Sequence, residues 1–311
     1  MADLPKRSLG VLGPEVSIVG LGCNNFGRRV DVDGTRAVVD AAIEQGITFF
    51  DTADIYGSPH GRSEEFLGEV LKGRRDQVVL ATKFGMNMDD GRGPRGSRDY
   101  IRHAVEASLR RLRTDVIDYY WYHEPDSVTP IAETLETLDE LVRAGTVRWI
   151  GASNFSAEQI EEADAVARDR GFTRFTAIQN QYSLLVRDPE SEVLPTCERL
   201  GLGFVPFFPL ASGLLTGKYR RGEPAPAGTR LASRDQVGTD AQFDVVEALE
   251  RYASDRQVPP TDVAIGALLA RRPVSSVIAG ETKPEQVRAN VAAARWTPDD
   301  NDMAKLEELL N

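Results

Sequence analysis

Eight short apolar segments recur along this chain, and stretches with helical spacing of their apolar residues separate them. The segments are Val16–Gly22, Ile47–Ala53, Val78–Phe84, Val116–His123, Val147–Ser153, Phe175–Gln181, Gly203–Pro209 and Ser275–Gly280. Such alternation is typical of parallel α/β proteins, because a parallel strand needs a crossover connection to the next one. No G-x-G-x-x-G follows the first segment, which disfavours a doubly wound sheet. The eight repeats therefore predict a closed (β/α)8 barrel, the TIM-barrel architecture.

The segments between the predicted strands have the apolar stripes of amphipathic helices. The two clearest stripes are Ile101, Val105, Leu109 and Leu112, and Ile131, Leu135, Leu138 and Leu141–Val142. Asp33 and Ser156 stand where helix N-caps are expected, and Gly145 and Gly171 where helices are expected to end.

The length of the chain and the lack of a linker predict one domain over residues 1–311 with long loops after the strands. No Ser/Gly-rich linker or block of like charge divides the chain. Tyr219–Asp240 is the longest stretch without a predicted element, and a loop of that length in a compact domain normally has a function. We therefore treat it as a candidate lid, a role that the sequence does not decide.

Composition restricts the partners of the protein. The chain has 37 basic and 48 acidic residues and a net charge of −11, which disfavours nucleic acids and anionic membranes. Two cysteines, Cys23 and Cys197, predict reduced thiols and a cytoplasmic location. Three histidines without metal-ligand spacing predict no metal site. The uncharged stretch Leu200–Gly217 contains Pro206 and Pro209, so it is not predicted to span a membrane.

Polar side chains stand at or near the ends of five predicted strands. They are Asp51, Lys83, His123, Ser153–Asn154 and Gln179. Each one alone also fits a structural role, as a cap, a solvated cation or a satisfied core group. Because the carboxyl ends of barrel strands meet at one face, we expect all of them around one pocket.

A phenol close to this group would give it a specific chemistry. Tyr56 follows Asp51 by five residues in a glycine-flanked loop. An ammonium such as Lys83 lowers the pKa of a nearby phenol, and a carboxylate keeps that ammonium charged. Tyr56 would then act as a general acid, with His123 holding a carbonyl oxygen. No serine or cysteine nucleophile stands out, so hydride from a reduced cofactor fits the carbonyl carbon.

Eight motifs, in order, resemble those of the aldo-keto reductases over nearly the whole chain. They are "GLGCNNFG", "FFDTADIYG", "ATKFG", "SLRRLRTDVIDYYWYHEPD", "GTVRWIGASNF", "IQNQYSLL", "PLASGLLTGKY" and "AGETKPEQVRAN". The resemblance implies a (β/α)8 barrel that binds NADP(H) without a Rossmann unit. It also implies reduction of aldehydes and ketones, or oxidation of alcohols. The catalytic tetrad of the family falls on Asp51, Tyr56, Lys83 and His123.

The same resemblance implies the cofactor contacts. For the nicotinamide they are Ser153, Asn154 and Gln179, with Phe207 where many relatives stack a tyrosine on the ring. For the pyrophosphate they are Gly213, Leu214 and Lys218 in "SGLLTGK", and for the adenosine phosphate Gly280, Thr282, Lys283, Gln286 and Asn290. Gln286 stands where some relatives have an arginine, which would bind a 2′-phosphate more strongly. We expect NADP, with NAD left open.

Two other functions compete with a carbonyl reductase. Some members of the family are nicotinamide-binding regulatory subunits with little turnover. A strand-end lysine in a barrel can also form a Schiff base, but Asp51 beside Lys83 predicts a charged ammonium instead.

The substrate is expected to be a small carbonyl compound or alcohol, and the sequence does not identify it. In the loop Met86–Gly96, Asp89 and Asp90 offset Arg92 and Arg95, so an anionic substrate is not specified there. The sequence also leaves the oligomeric state undetermined.

Overall fold

A computed structural model of the protein describes residues 4–232, 234 and 236–310. Its ten strands are β1 (Lys6–Ser8), β2 (Glu15–Ser17), β3 (Val19–Gly22), β4 (Phe49–Asp51), β5 (Val79–Phe84), β6 (Ile117–Tyr122), β7 (Val147–Ser153), β8 (Ala177–Gln179), β9 (Gly203–Phe204) and β10 (Val277–Gly280). β3 to β10 form one parallel sheet in the order β10-β3-β4-β5-β6-β7-β8-β9. β1 and β2 form a separate antiparallel hairpin.

Ten α-helices are interspersed with the strands in the described part of the chain. They are α1 (Val32–Glu44), α2 (Arg62–Val70), α3 (Arg98–Leu112), α4 (Ile131–Arg143), α5 (Ala157–Arg170), α6 (Val193–Leu200), α7 (Asp240–Asp255), α8 (Pro260–Ala270), α9 (Pro284–Ala293) and α10 (Asp300–Leu310). None of the helices described is both long and apolar enough to cross a membrane.

The two outermost strands of the sheet are joined, so the sheet closes into a barrel. The backbone N–H of Phe204, in β9, donates to the carbonyl oxygen of Pro273 at 3.1 Å. The backbone N–H of Ser275, just before β10, donates to the carbonyl oxygen of Phe204 at 2.9 Å. The predicted (β/α)8 barrel is confirmed. That residues 1–311 act as one domain stays a prediction.

Three local predictions are corrected or shortened. The first predicted strand, Val16–Gly22, is divided between β2 and β3, because its first part pairs with β1 instead of the barrel. The strand predicted over Gly203–Pro209 ends at Phe204, since Pro206 has no N–H to donate. Asp33 does not cap α1.

The cap of α1 is Asp31, whose Oδ1 accepts the Gly34 N–H at 2.8 Å. Ser156 caps α5 as predicted, in a reciprocal pair with Gln159. Gly171 ends α5 with a positive φ of 66°. Gly145 follows the end of α4, also with a positive φ, of 76°.

Strand alternation directs every second side chain into the barrel. The inner core consists of Leu9, Val16, Phe49, Ala81, Tyr119, Trp121, Ala177, Val205 and Ile278. Two of these, Leu9 and Val16, come from the N-terminal hairpin and its turn, which therefore packs onto the inner core. The next inward positions along five strand segments are Asp51, Lys83, His123, Gln179 and Phe207. The barrel thus places apolar residues below and polar residues at its carboxyl end.

A glycine in β7 makes room for the largest residue of this inner core. A Cβ at Gly151 would lie 2.5 Å from Trp121 Cζ3 and 2.7 Å from the Ala177 carbonyl oxygen. We expect Gly151→Ala to lower the free energy of unfolding by about 2 kcal/mol, because neither the indole nor the strand backbone has space to move.

Urea unfolding of the two variants measures this effect. Gly93→Ala is the matched control, because the atom nearest to its added Cβ is 4.0 Å away. Equal stabilities of the Gly151 and Gly93 variants would contradict the packing argument.

Candidate active site

A cavity of about 270 Å³ opens at the carboxyl ends of the barrel strands. Its walls are Gly22, Cys23, Asn24, Asp51, Tyr56, Met86, His123, Asn154, Gln179, Phe207, Phe208, Ile278 and Gly280. Seven of the thirteen are site residues that the sequence predicted, and Cys23 and Asn24 follow the first barrel strand. The fold therefore brings the strand-end polar groups to one cavity.

Lys83 is completely buried beneath this cavity and has two oxygen partners. Its Nζ donates to Asp51 Oδ2 at 2.5 Å and to the Thr52 carbonyl oxygen at 2.8 Å. The other carboxylate oxygen of Asp51 accepts the side-chain amide of Gln179 at 3.1 Å. The Lys83 ammonium and both carboxylate oxygens of Asp51 thus each form at least one hydrogen bond, as buried charged groups require.

Tyr56 lies next to the ammonium of Lys83, in the loop between β4 and α2. Lys83 Nζ is 5.0 Å from the centre of the phenol ring. The ring of His123 meets the phenol edge-on, with the ring centres 5.9 Å apart. Asp51, Lys83, Tyr56 and His123 therefore form one contiguous group.

The ionisation of this group follows from burial and the ion pair. Burial lowers the pKa of Lys83, but the charge of Asp51 and the proximity of Tyr56 outweigh it, so the pKa of Lys83 is raised. A charged ammonium is not a Schiff-base nucleophile, which argues against the aldolase alternative.

The phenol behaves differently from the sequence-based expectation of a lowered pKa. Burial raises the pKa of Tyr56, Lys83 lowers it, and the net shift is upward. The hydroxyl therefore keeps its proton at neutral pH, with the charged ammonium of Lys83 beside the phenol ring.

His123 is neutral in the protein. Burial lowers its pKa well below the ordinary value, and the charge of Lys83 lowers it further. Its Nδ1 is buried without a hydrogen-bond partner among the described residues. Its carbonyl oxygen accepts the Asn154 side-chain amide at 3.0 Å, which fixes the backbone where β6 ends.

The residues predicted to hold a nicotinamide line one side of the cavity or lie next to it. Ser153 and Gln179 are paired in register at the ends of β7 and β8. Asn154 follows with a left-handed φ of 60° and donates to Ser153 Oγ at 3.3 Å. Phe207 faces the cavity and meets Phe208 edge-on.

The predicted pyrophosphate segment forms a 3-10 turn, Ala211–Thr216, beside the cavity. Gly213 has a φ of 97°, and a Cβ there would lie 2.6 Å from Lys218 Nζ. The glycine therefore allows the ammonium to approach the turn. Its own N–H donates to the Leu210 carbonyl oxygen at 2.7 Å, and the Leu214 side chain is buried in the core.

The predicted adenosine segment runs from the end of β10 into α9. Gly280 lines the cavity, and Lys283 is the N-cap residue of α9. Gln286 Oε1 accepts both the N–H and the hydroxyl of Thr282, at 2.7 and 3.1 Å. Asn290 is buried and lies about one helical turn after Gln286, on the same face of α9.

The sequence analysis missed Glu281, which follows Gly280 and is fully buried. Its Oε1 accepts the Asn290 amide at 2.7 Å, and its Oε2 has no partner among the described residues. Burial raises its pKa to about 8. A carboxylate directly after a strand, as at Asp51, was the signal available in the sequence.

Metal binding receives no support from the arrangement of side chains. In residues 4–232, 234 and 236–310, no group of three or more His, Cys, Asp and Glu side chains is placed to hold a metal ion.

Cys23 and Cys197 are both buried free thiols. Burial raises the pKa of each, so neither is a thiolate nucleophile.

The closed barrel and its polar mouth define a class of protein, a (β/α)8 barrel with a buried charged group at the carboxyl ends of its strands. The sequence profile of the Aldo/keto reductase family matches residues 18–311. The chain therefore belongs to the aldo/keto reductase family and is an oxidoreductase.

Individual relatives resemble the chain over most of their length. "Uncharacterized oxidoreductase YrpG" of Bacillus subtilis is 36% identical over 311 residues, covering 97% of this chain and 94% of the relative. "Probable voltage-gated potassium channel subunit beta" of Oryza sativa is 36% identical, covering 94% and 92%. "Probable aldo-keto reductase 1" of Glycine max is 33% identical, covering 99% and 89%.

The buried Glu281 makes stability depend on pH. Its pKa of about 8 in the folded protein lies above the ordinary value of 4.5, so the folded state retains a proton that the unfolded chain releases. The free energy of unfolding therefore falls as pH rises from about 5 to 8, by roughly 3–4 kcal/mol.

Glu281→Gln keeps the acceptor for Asn290 and removes the titration. We expect the variant to raise the melting temperature strongly at pH 8 and little at pH 5, measured by differential scanning fluorimetry. The same difference at both pH values would show that Glu281 does not carry the effect.

Proposed function

We propose that the protein is an NADP-dependent carbonyl reductase in which Tyr56 is the general acid. The observation that carries the proposal is the buried contact of Lys83 with both Asp51 and Tyr56 at the cavity. A neutral phenol there is the form that donates a proton to a carbonyl oxygen, and an ammonium beside it is the group that stabilises the resulting phenolate.

The roles of the individual residues follow from their charges. Tyr56 donates its proton to the substrate oxygen as negative charge develops there. Lys83 stabilises the phenolate, and Asp51 holds Lys83 in place and keeps it charged. His123 is neutral and faces the cavity, so it binds the carbonyl oxygen through a hydrogen bond and orients it without adding charge.

The residues around the cavity fit a nicotinamide dinucleotide. His123 Nδ1 and Asn24 Oδ1 are buried polar atoms without partners among the described residues, and both residues line the cavity. Phe207 offers an aromatic face, with Ser153, Asn154 and Gln179 beside it for the carboxamide. Such a cofactor, when bound, supplies the hydride that reduces the carbonyl carbon. Lys218 and the start of α9 are the proposed phosphate contacts.

Tyr56→Phe tests the proton donor. We expect kcat for an aldehyde to fall by about 10²–10⁴-fold, because a phenyl ring has no proton to give. NADPH oxidation at 340 nm measures the rate, and quenching of protein fluorescence measures cofactor binding, which we expect the variant to retain.

Tyr120→Phe is the matched control, since its buried hydroxyl has no partner among the described residues. We expect this variant to turn over like the wild type. Wild-type rates in Tyr56→Phe would show that the role given to Tyr56 is wrong.

Lys283→Gln tests the choice of NADP. Lys283 is exposed at the N-cap position of α9, where an ammonium would bind a 2′-phosphate. We expect the dissociation constant of NADPH to rise about tenfold and that of NADH to stay unchanged. Lys305→Gln, an exposed lysine in α10, is the control. Equal effects on both nucleotides would instead favour NAD or a different phosphate contact.

The potassium-channel β subunit among the relatives gives a reason to weigh a second function. A nicotinamide-binding regulatory subunit would retain the pocket and turn over slowly. Steady-state and single-turnover rates separate the two functions. Rapid release of the oxidised cofactor favours the enzyme, and retention of it over many minutes favours the regulatory subunit.

A further inference from the structure

Four arginines, here called the arginine cluster, come together beside the mouth of the cavity. They are Arg28, Arg29, Arg230 and Arg234. Arg28 and Arg29 lie in the loop between β3 and α1, and the other two lie in the long segment Tyr219–Asp240. The cluster thus joins two loops that are far apart in the chain, with Arg29 and Gly228 separated by 199 positions. The proposed mechanism uses none of these four arginines.

Direct contacts position two members of the cluster, Arg230 against a wall of the cavity and Arg29 against the other loop. The Arg230 guanidinium lies 4.7 Å from the centre of the Phe208 ring, and Phe208 is a wall of the cavity. Arg29 Nη2 donates to the Gly228 carbonyl oxygen at 3.1 Å, which ties the two loops together.

The first of these loops is also tied to the loop of the proposed general acid. The Ser58 N–H, two residues beyond Tyr56, donates to the Gly27 carbonyl oxygen at 3.0 Å, immediately before Arg28. The cluster is therefore anchored to both the aromatic wall and the Tyr56 loop.

The ion pairs of the described residues do not include the arginine cluster. Among the residues that the structure describes, no carboxylate forms an ion pair with any member of the cluster. Other arginines of the same segment are paired, Arg220 with Glu250 at 2.7 Å and Arg221 with Asp244 at 2.5 Å. Among the described residues, the arginines of this segment thus differ, since Arg220 and Arg221 have acidic partners and the cluster has none, in a chain whose net charge is −11.

The members of the cluster are close enough to affect one another. Burial lowers the pKa of Arg230, and the charges of Arg29, Arg28 and Arg234 lower it further, while Tyr56 acts in the opposite direction. Like charges brought together in this way repel one another, and a bound anion relieves the repulsion. A guanidinium also matches a carboxylate or phosphate with two parallel hydrogen bonds.

The loop that the sequence offered for an anion does not have this property. Arg92 Nε lies 3.6 Å from Asp90, and Arg95 Nε donates to the Gly85 carbonyl oxygen at 2.7 Å. Both guanidinium groups therefore already have partners within their own loop.

We propose that the arginine cluster is an anion-binding site that selects carbonyl substrates carrying a carboxylate or phosphate group. This inference rests on the proposed reductase function, because it assigns a substrate class to the same cavity. The charged end of the substrate binds to the cluster at the mouth, and its carbonyl end reaches Tyr56. A phosphate of the cofactor is the competing source of the same anionic chemistry.

Matched aldehydes test the site. The probes are 4-formylbenzoate and its methyl ester, which differ in charge and share the reacting aldehyde. We expect the wild-type protein with NADPH to prefer the carboxylate by at least tenfold in kcat/KM. The preference should shrink between 50 and 500 mM NaCl, because salt screens exposed charges.

Arg28→Gln should reduce the carboxylate-to-ester ratio at least fivefold. Arg220→Gln, an arginine of the long segment that is paired outside the cluster, is the control and should leave the ratio unchanged. A wild-type ratio near one, or an unchanged ratio in Arg28→Gln, would overturn the proposal.

Cofactor binding distinguishes the two sources of the anion. If Arg28→Gln weakens NADPH binding tenfold and leaves the carboxylate-to-ester ratio unchanged, the cluster binds the cofactor and the proposal is wrong. If NADPH binding is unchanged and the ratio falls, the substrate is the occupant.

A binding measurement separates this inference from the proposed function. Isothermal titration of the cofactor-free protein with 4-formylbenzoate and with the ester needs no turnover. Preferential binding of the carboxylate, lost in Arg28→Gln, supports the anion site even if no aldehyde is reduced. Equal binding of the two probes, together with reduction of both, would leave the reductase in place and remove the anion site.

Discussion

The ion pair between Lys83 and Asp51 is the interaction on which the functional cavity depends. Both side chains are buried, and the desolvation of two such charges is offset only where geometry and further hydrogen bonds are good. Gln179 and the Thr52 carbonyl oxygen supply those bonds. The pair in turn places a fixed positive charge beside Tyr56 and helps to keep His123 neutral. Burial and this one ion pair together thus set the ionisation of the group.

The barrel explains how residues far apart in sequence form this group without distortion. Inward side chains repeat every second residue along a strand. Phe49 and Ala81 lie in the inner core, so Asp51 and Lys83, two residues further along the same strands, also point inward, nearer the carboxyl end of the barrel. The closed sheet gives no edge at which these positions could shift in register. Rigid strands therefore hold the buried charges, while loops supply Tyr56 and the mouth of the cavity.

Electrostatics change from the floor of the cavity to its mouth. At the floor, the cation of Lys83 and the carboxylate of Asp51 are paired, and the phenol of Tyr56 beside Lys83 is neutral. At the mouth, the arginine cluster has no acidic partner in the part of the chain that the structure describes. The paired charges at the floor form a fixed part of the structure. The arginine cluster at the mouth is instead proposed to bind an anion reversibly. The overall negative charge of the chain conceals this difference, because net charge averages over surfaces that never meet.

The sequence by itself determined the barrel, the polar strand ends and the motifs of the family, because side-chain period and strand–helix alternation are local properties. The sequence correctly predicted Ser156 as the N-cap of α5. The predicted cap Asp33 was wrong, because Asp31, two residues earlier, accepts the Gly34 N–H at the start of α1. Only the tertiary structure decided the net pKa of Tyr56 and the burial of Glu281, since both depend on desolvation by distant segments. The meeting of two arginine-bearing loops was likewise decided by the fold, because long-range contacts between loops leave no periodic signal in the chain.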